Sequence, residues 1–283
     1  ILIPAMKKKG YPGAFAAAVT SSSASLAIII PPSIPMIVYA VMSQSSVVQL
    51  FVAGIIPGVI GGFFLMLAAY VTARKKNFPV EETFNIPNVK KTAKDAALAF
   101  LLPVIILGGI FGGVVTATEG AGLAVVASLV IGFIYKEIDF KRLYESACEG
   151  AIQTASVMLL VAASVLLGEF LTIEQIPQKV AESIIEFTNN KYAVLGILNI
   201  FLLIIGFFLH SVAAIILTVP IVMPLVNAVG IDPVHFGIIV TLNLAIGQQT
   251  PPVASVLVTA CSVAKADIWY VTRSNISFIC VLL

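Results

Sequence analysis

Charge is scarce in this chain: of 283 residues, 16 are Lys or Arg, 14 are Asp or Glu and two are His, so charged side chains make up only 11%. With 59% apolar residues and a mean hydropathy of +1.07, a soluble domain with one core inside a polar shell is excluded. The three cysteines, Cys148, Cys261 and Cys280, have no CxxC spacing and sit in or beside apolar segments. That pattern implies no disulfide framework or metal site and is expected to leave isolated buried thiols. HExxH, Walker lysine, GxSxG and paired-acid motifs are all missing, so the common hydrolytic and prenyl chemistries have no carrier here. No nucleic-acid partner is expected.

What is abundant is the long apolar run. Stretches near 14–43, 47–72, 96–115, 121–135, 150–171, 194–229 and 234–262 mostly reach the length that crosses a ~30 Å hydrocarbon layer as helix. They lack the alternating polarity of membrane-barrel strands. The expectation is an all-α polytopic membrane protein whose solvent is the lipid bilayer. Neither end reads as a natural terminus: residue 1 has no initiator Met and no leading signal segment, and the run 276–283 is too short to span.

Basic residues gather at Lys7, Lys8 and Lys9, at Arg74, Lys75 and Lys76, at Lys90, Lys91 and Lys94, at Lys136, Lys141 and Arg142, and at Lys265 and Arg273. Only Lys179 and Lys191 fall elsewhere. Placing the groups in the cytoplasm sends 14–43 outward, 47–72 back, 96–115 outward, 121–135 back and 150–171 outward. Residues 172–192 then lie outside. There Glu174, Lys179, Glu182 and Glu186 interleave with Ile176, Val180, Ile184, Ile185 and Phe187, as in an amphipathic helix at the interface or an ordinary connecting helix. Residues 194–229 must begin and end outside, as two full spans or one re-entrant hairpin. A cytoplasmic tip at His210 would normally carry Lys or Arg, and this one carries neither, which favours the hairpin.

Two Pro-Pro pairs interrupt this apolar sequence, Pro31-Pro32 and Pro251-Pro252, and the charge pattern runs them through the membrane in opposite directions. Broken helices in opposite orientation mark inverted-topology repeats, which secondary transporters use to build a site near the midplane. Each proline removes the N–H that would bond the carbonyl four residues earlier and disfavours helix in the residue before it. The carbonyls of Ala27 and Ile28, and of Gly247 and Gln248, are therefore expected to be free, at several kcal/mol each unless something satisfies them. A kink satisfied by neighbouring helices or water is the plainer role of a membrane proline.

The polar neighbours favour a site. Ser25 and Ser33 flank the first break, and Asn243, Gln248, Gln249 and Thr250 flank the second, supplying the neutral oxygens that hard cations take. Proton relays need ionisable groups at depth, and the interior candidates Glu119, Glu169 and His210 lie in neither Pro-Pro segment. The expected coupling ion is therefore Na+. Ser25, Ser33, Gln248 and Gln249 are the candidates on the substrate side, where a carboxylate would meet amides, hydroxyls and helix N-termini. Glu119 is expected to cap a helix, His235 to be structural, and Gly108, Gly109, Gly112 and Gly113 to let helices pack closely.

Several motifs resemble one family. Ile3-Pro4-Ala5-Met6-Lys7-Lys8-Lys9-Gly10-Tyr11, Ile29-Ile30-Pro31-Pro32-Ser33-Ile34-Pro35-Met36, Ala53-Gly54-Ile55-Ile56-Pro57-Gly58, Thr116 to Glu119, and Gly230 to Gly247 running into Thr250-Pro251-Pro252-Val253 are similar to the large membrane subunit of tripartite ATP-independent periplasmic (TRAP) transporters. The resemblance implies an elevator-type fold of the ion-transporter superfamily, with broken helices that each face a re-entrant hairpin across a Na+ site. By position it places one site at Gly206, Gly247, Thr250 and Val253 and the other in the segment of Ala27, Ile30 and Pro32, whose partner hairpin would precede residue 1. The chain resembles the C-terminal two-thirds of such a subunit.

The implied division is a transport-domain part at 1–46, mainly scaffold at 47–191, a second transport part at 192–270 and the start of a last helix at 271–283. The implied function is sodium-coupled uptake of a small organic acid in the bacterial inner membrane, not an enzyme activity. Its partners would be a small membrane subunit and a periplasmic substrate-binding protein. Ala117 stands where the family often has proline, and His210 lies where it has an acid nearby. Gly247-Gln248-Gln249-Thr250 resembles the sialic-acid branch more than the dicarboxylate branch. A carrier of the same superfamily working without a binding protein is the alternative. An intramembrane enzyme would need a reactive cluster at depth, which the spacing of Glu119, His210 and the cysteines does not supply.

Overall fold

The computed structural model describes residues 2–78, 86–136, 138–188, 190–251 and 253–283. Pro252 and the side chains of Lys94 and Phe187, named above, lie outside the described residues. The chain forms two compact units, Ile1–Pro79 with Leu160–Leu283, and Val80–Leu159. This is a division by contact, whereas the transport and scaffold parts expected from sequence are a division by motion.

The first unit opens with α1 (Leu2–Lys8), α2 (Gly13–Ile29), α3 (Ile34–Ser43) and α4 (Val47–Lys75). The second holds α5 (Ile86–Phe111) and α6 (Ala117–Ile134), and α7 (Phe140–Ile173) runs from it into the first. The first unit then continues through α8 (Ile176–Phe187), α9 (Lys191–Phe208), α10 (Ser211–Ala228), α11 (Pro233–Gly247), α12 (Ser255–Ala264) and α13 (Ile268–Leu282). Six segments are long and apolar enough to cross a membrane, Gly13–Ser43, Val47–Lys75, Ala117–Ile134, Phe140–Leu171, Lys191–Phe208 and Ser211–Ala228. The architecture among the described residues is all-α.

Local chemistry sets most helix starts. Ser33, Ser46, Asn190, Asp232 and Asp267 each accept from backbone N–H groups in the first turn of α3, α4, α9, α11 and α13. Thr116 and Glu119 form a full capping box on α6, the role expected of Glu119. At the other end of a helix, the Lys7 Nζ donates to the Ala264 carbonyl at 2.7 Å and closes the C-terminus of α12. Single prolines are absorbed, Pro57 in α4, Pro103 in α5, and Pro220 and Pro224 in α10, whereas the pair at Pro31-Pro32 separates α2 from α3.

The core of the first unit is two apolar clusters with α11 between them. Tyr39, Leu50, Leu202, Ile215, Phe236 and Leu244 belong to one; Phe15, Ala17, Leu257, Val271, Phe278 and Ile246 belong to the other. Because Leu244 and Ile246 feed opposite clusters, α11 is buried on all sides, which is why it lacks an amphipathic stripe.

Two expectations are corrected, for the glycines of 108–113 and for two of the cysteines. Among the described residues the glycines of 108–113 do not line a helix interface: a side chain at Gly108 or Gly113 would meet nothing within 4 Å, those at Gly109 and Gly112 would meet Val114, Val115 and Gly108 of the same turn, and Gly113 takes φ +68° in the turn after α5. That backbone favours glycine, and it lets α5 return along α6. Cys148 and Cys280 are exposed and only Cys261 is buried, because each sits on whichever helix face its register gives it. Residues 176–187 do form a helix, and it lays Ala181, Ile184 and Ile185 on the core. The stretch 194–229 becomes two helices meeting at Leu209 and His210. Each is about 27 Å long, sufficient for a crossing by length.

Close approaches, not polarity, fix the α2–α3 break against α4. A Cβ at Gly54 would lie 2.5 Å from the Ile29 carbonyl oxygen and 2.7 Å from Met36 Cε, and one at Gly58 would lie 2.7 Å from Ile30 Cγ1. The backbone oxygen at Ile29 cannot withdraw as a side chain can. Gly54→Ala is expected to destabilise the protein by about 1–3 kcal/mol, read as a lower thermal midpoint in detergent. Gly196→Ala, inside α9 where a Cβ meets nothing within 4 Å, should not lower that midpoint.

Candidate functional site

The second break is built where α11 ends. Asp232 and Pro233 start α11, its apolar body seats it between the two core clusters, and Pro251 prevents it from continuing past the 248–254 segment. The expected free carbonyls are not free. The Gly247 oxygen accepts the Thr250 N–H at 2.9 Å and the Gln248 oxygen accepts the Val256 N–H at 3.3 Å. A turn at Thr250, before the prolines, supplies the first donor and Val256, beyond them, the second, leaving each oxygen its second lone pair.

Against this break stands the end of α9. A Cβ added to Gly247 would fall 2.6 Å from both the Cα and the carbonyl carbon of Gly206 and 3.0 Å from its oxygen. Two backbones approach here at a distance that only glycine permits. Val253 N–H donates to the Phe207 carbonyl at 3.3 Å, tying the far side of the break to the same helix end. Thr250 donates its hydroxyl to the Ile246 carbonyl at 3.1 Å and keeps its lone pairs. Gly206, Gly247, Thr250 and Val253 are thus brought together by one contact between α9 and α11.

The first break is more open. Ala27, Ile30 and Pro32 are exposed, with the Ile30 side chain reaching Gly58 of α4. Ser33 donates to the Ile28 carbonyl at 2.5 Å and accepts from Met36 N–H at 3.4 Å, so its hydroxyl replaces the donor removed by Pro32 and caps α3. The Ile28 carbonyl, expected to be free, is therefore partnered, and Ser33 is occupied within the backbone.

Between the breaks runs a buried polar chain. Ser22 Oγ donates to Asn275 Oδ1 at 2.5 Å, Asn275 Nδ2 donates to Gln249 Oε1 at 3.2 Å, Gln249 Nε2 donates to Ser25 Oγ, and Ser25 Oγ donates to the Ala245 carbonyl at 3.1 Å. All four side chains are buried, so each of these bonds replaces water that cannot enter. Ser25 and Gln249, expected on the substrate side, are committed to one another and to Asn275. Gln248 donates to the Leu244 carbonyl at 3.4 Å, and among the described residues its Oε1 is buried with no hydrogen-bond partner.

Asn275 had no sequence signal, since it stands alone in the amphipathic helix α13. The glycines Gly54 and Gly58 were visible as a motif but not as the seat of a break. A cleft of about 410 Å³ lies beside these elements, lined by His210, Thr20, Ser21, Ser255 and Thr259 together with apolar residues including Ile3 and Val256. Its size is in the range that holds a small organic molecule. The His210 imidazole does not cap α10 and remains available at the cleft.

Helices that stop inside the core, meet a second helix end backbone to backbone and carry neutral oxygens are the arrangement that membrane carriers use. The sequence comparisons give the family. The model of the tripartite ATP-independent periplasmic transporter, DctM component, matches residues 1–283, and the chain belongs to this family. It is an integral membrane protein of the TRAP large-permease family.

Among its relatives, the isethionate TRAP transporter permease protein DctMQ of Oleidesulfovibrio alaskensis is 39% identical over all of this chain and 45% of that protein. The C4-dicarboxylate TRAP transporter large permease protein DctM of Pseudomonas aeruginosa is 37% identical over 100% of this chain and 66% of that protein. The sialic acid TRAP transporter large permease protein SiaM of Vibrio cholerae is 35% identical over 96% and 64%. The chain therefore spans about half to two thirds of the length of these relatives. The names of these three relatives are those of permeases.

Loss of Asn275 would leave the Gln249 Oε1 and the Ser22 hydroxyl without these partners in a dry interior. Asn275→Ala is expected to cost about 1–3 kcal/mol, seen as a lower melting midpoint. Asn275→Asp, which keeps the acceptor for Ser22 but loses the donor to Gln249, should be destabilised as well, and midpoints equal to wild type in both variants would show that the chain of bonds is not formed.

Proposed function

We propose that this chain takes part in sodium-coupled uptake of a small organic acid across the bacterial inner membrane. The observation that carries the reading is the contact of Gly206 with Gly247, which lays two backbones side by side with the Thr250 hydroxyl bonded one turn back to Ile246 and Val253 tied to Phe207. The donor set suits a hard monovalent cation: it is neutral and oxygen-rich, the glycine contact lets two backbones meet with no side chain between them, and Gln248 next to it holds a buried oxygen without a partner among the described residues. Na+ would be held by the Gly206 and Gly247 carbonyls and Thr250 Oγ1, with the Val253 segment closing the site. The first break, through Ala27, Ile30 and Pro32, would supply the equivalent half-site.

The coupling follows from these positions. A cation bound at the second break would strengthen the hold of α9 on α11 and fix the His210 end of the cleft. An organic anion in the cleft would then meet the His210 imidazole and the hydroxyls of Thr20, Ser21, Ser255 and Thr259. Relatives named for isethionate, C4-dicarboxylates and sialic acid all concern small anions, which supports the class. Sialic acid is the first to test, on the Gly247-Gln248-Gln249-Thr250 wording. That wording acts through packing, because Gln248 and Gln249 are buried. In this reading 1–46 and 192–270 move as transport parts against a scaffold formed mainly by 47–191, substrate arrives on a periplasmic binding protein, and a small membrane subunit completes the complex.

The test uses the full-length permease with its small subunit and binding protein in proteoliposomes. Thr250→Ala should raise the sodium concentration for half-maximal uptake by about tenfold, the equivalent of one lost charge-assisted contact. Uptake that persists on a proton gradient alone, with sodium removed, would overturn the reading.

A further inference from the structure

A second and larger groove lies away from the breaks, between the last three turns of α4 and the face of α13. Its volume is about 650 Å³, and its lining changes character along its length. At one end stand three cations, Lys75, Lys76 and Arg273. Among the described residues no carboxylate is paired with any of them. Toward the other end the walls are Phe64, Leu67, Val71 and Val281. Phe64, Leu67 and Val71 are 45%, 47% and 41% exposed, an apolar surface without a protein partner over it among the described residues.

Two further features fix the level of the charged end. Trp269 and Tyr270, in the first turn of α13, are 73% and 74% exposed, and Tyr70 on α4 carries the Arg74 guanidinium 5.9 Å above its ring. Exposed Trp and Tyr beside Arg and Lys are the side chains of a membrane–water interface. The cluster belongs to the basic groups that the charge pattern assigns to the cytoplasm. From Lys75 back to Phe64 the helix rises about 16 Å, and from Arg273 to Val281 about 12 Å. These distances match one leaflet of a ~30 Å hydrocarbon layer.

We propose that this groove holds an anionic phospholipid of the cytoplasmic leaflet, its phosphate on Lys75, Lys76 and Arg273 and its acyl chains along Phe64, Leu67, Val71 and Val281. The charge gradient selects the occupant. An apolar helix would leave three cations buried against it without a counter-charge, and a soluble anion would leave the apolar walls uncovered. A phospholipid satisfies both ends at the depth where they lie, and a basic cleft between membrane helices on the cytoplasmic side is suited to an anionic head group.

The experiment is native mass spectrometry of the full-length permease with its small subunit, titrated in detergent with phosphatidylglycerol and with phosphatidylcholine of the same acyl chains. Wild type should retain phosphatidylglycerol about tenfold more strongly. The combined variant Lys75→Gln, Lys76→Gln, Arg273→Gln should lose the preference, and Leu67→Trp, which fills the groove without changing charge, should lose the bound lipid. Lys90→Gln with Lys91→Gln, in another basic group, should retain the preference. Equal binding of the two lipids by wild type, a preference that survives the triple variant, undiminished binding by Leu67→Trp, or loss with the Lys90 and Lys91 changes would each overturn the proposal.

Discussion

The approach of Gly206 to Gly247 sets two polypeptide backbones against each other with no side chain between them. At that distance the last turn of α9 and the last turn of α11 share one boundary, and the position of either is a condition on the other. Because α11 lies between both apolar clusters, that boundary is tied into the whole of the first unit. Interiors packed at crystal density respond to such a constraint as a body, not by local give. The break after Gly247 can then be irregular without being loose, with Val253 tied back to Phe207 and Val256 to Gln248.

The polar groups inside the unit follow from the same arrangement. Once the helix stops at Gly247, the side chains after it point into the interior, and Gln249 must find partners there. Ser25 and Asn275 supply them from α2 and α13, and Ser22 of α2 holds Asn275 in turn. Buried amides in a fully connected chain specify a single register between helices, since any slip strands several polar atoms at once. Gln248 is the exception, with one oxygen unsatisfied, and it sits at the residue that follows the glycine contact.

Breaks and helix starts were legible in the sequence because their signals are short-range. Pro31-Pro32 ended α2, Thr116 and Glu119 capped α6, and Asp232-Pro233 opened α11, each within a few residues of the cause. The fate of the freed carbonyls was not legible, since it depends on how sharply the chain turns after the proline; Ser33 and Val256 supplied donors that no spacing rule places. Asn275 was missed because its partners are distant along the chain, Ser22 most of all. The grouping of Gly206 with Gly247 came through family resemblance, as no local pattern pairs two glycines across a hairpin. The glycines of 108–113 show the opposite error, a spacing that reads as a packing face but serves a turn.

The Lys7 bond to Ala264 gives one residue two tasks. Its charge belongs to the group that sets which side of the bilayer this end of the chain occupies, while its ammonium closes a helix contributed by the far end of the sequence. The orientation signal and the tertiary tie therefore share one side chain. A cysteine or glutamine at this position, introduced to map sidedness, would also untie α1 from α12. Lys8, exposed one residue further on, carries the same orientation information without that bond and is the cleaner reporter.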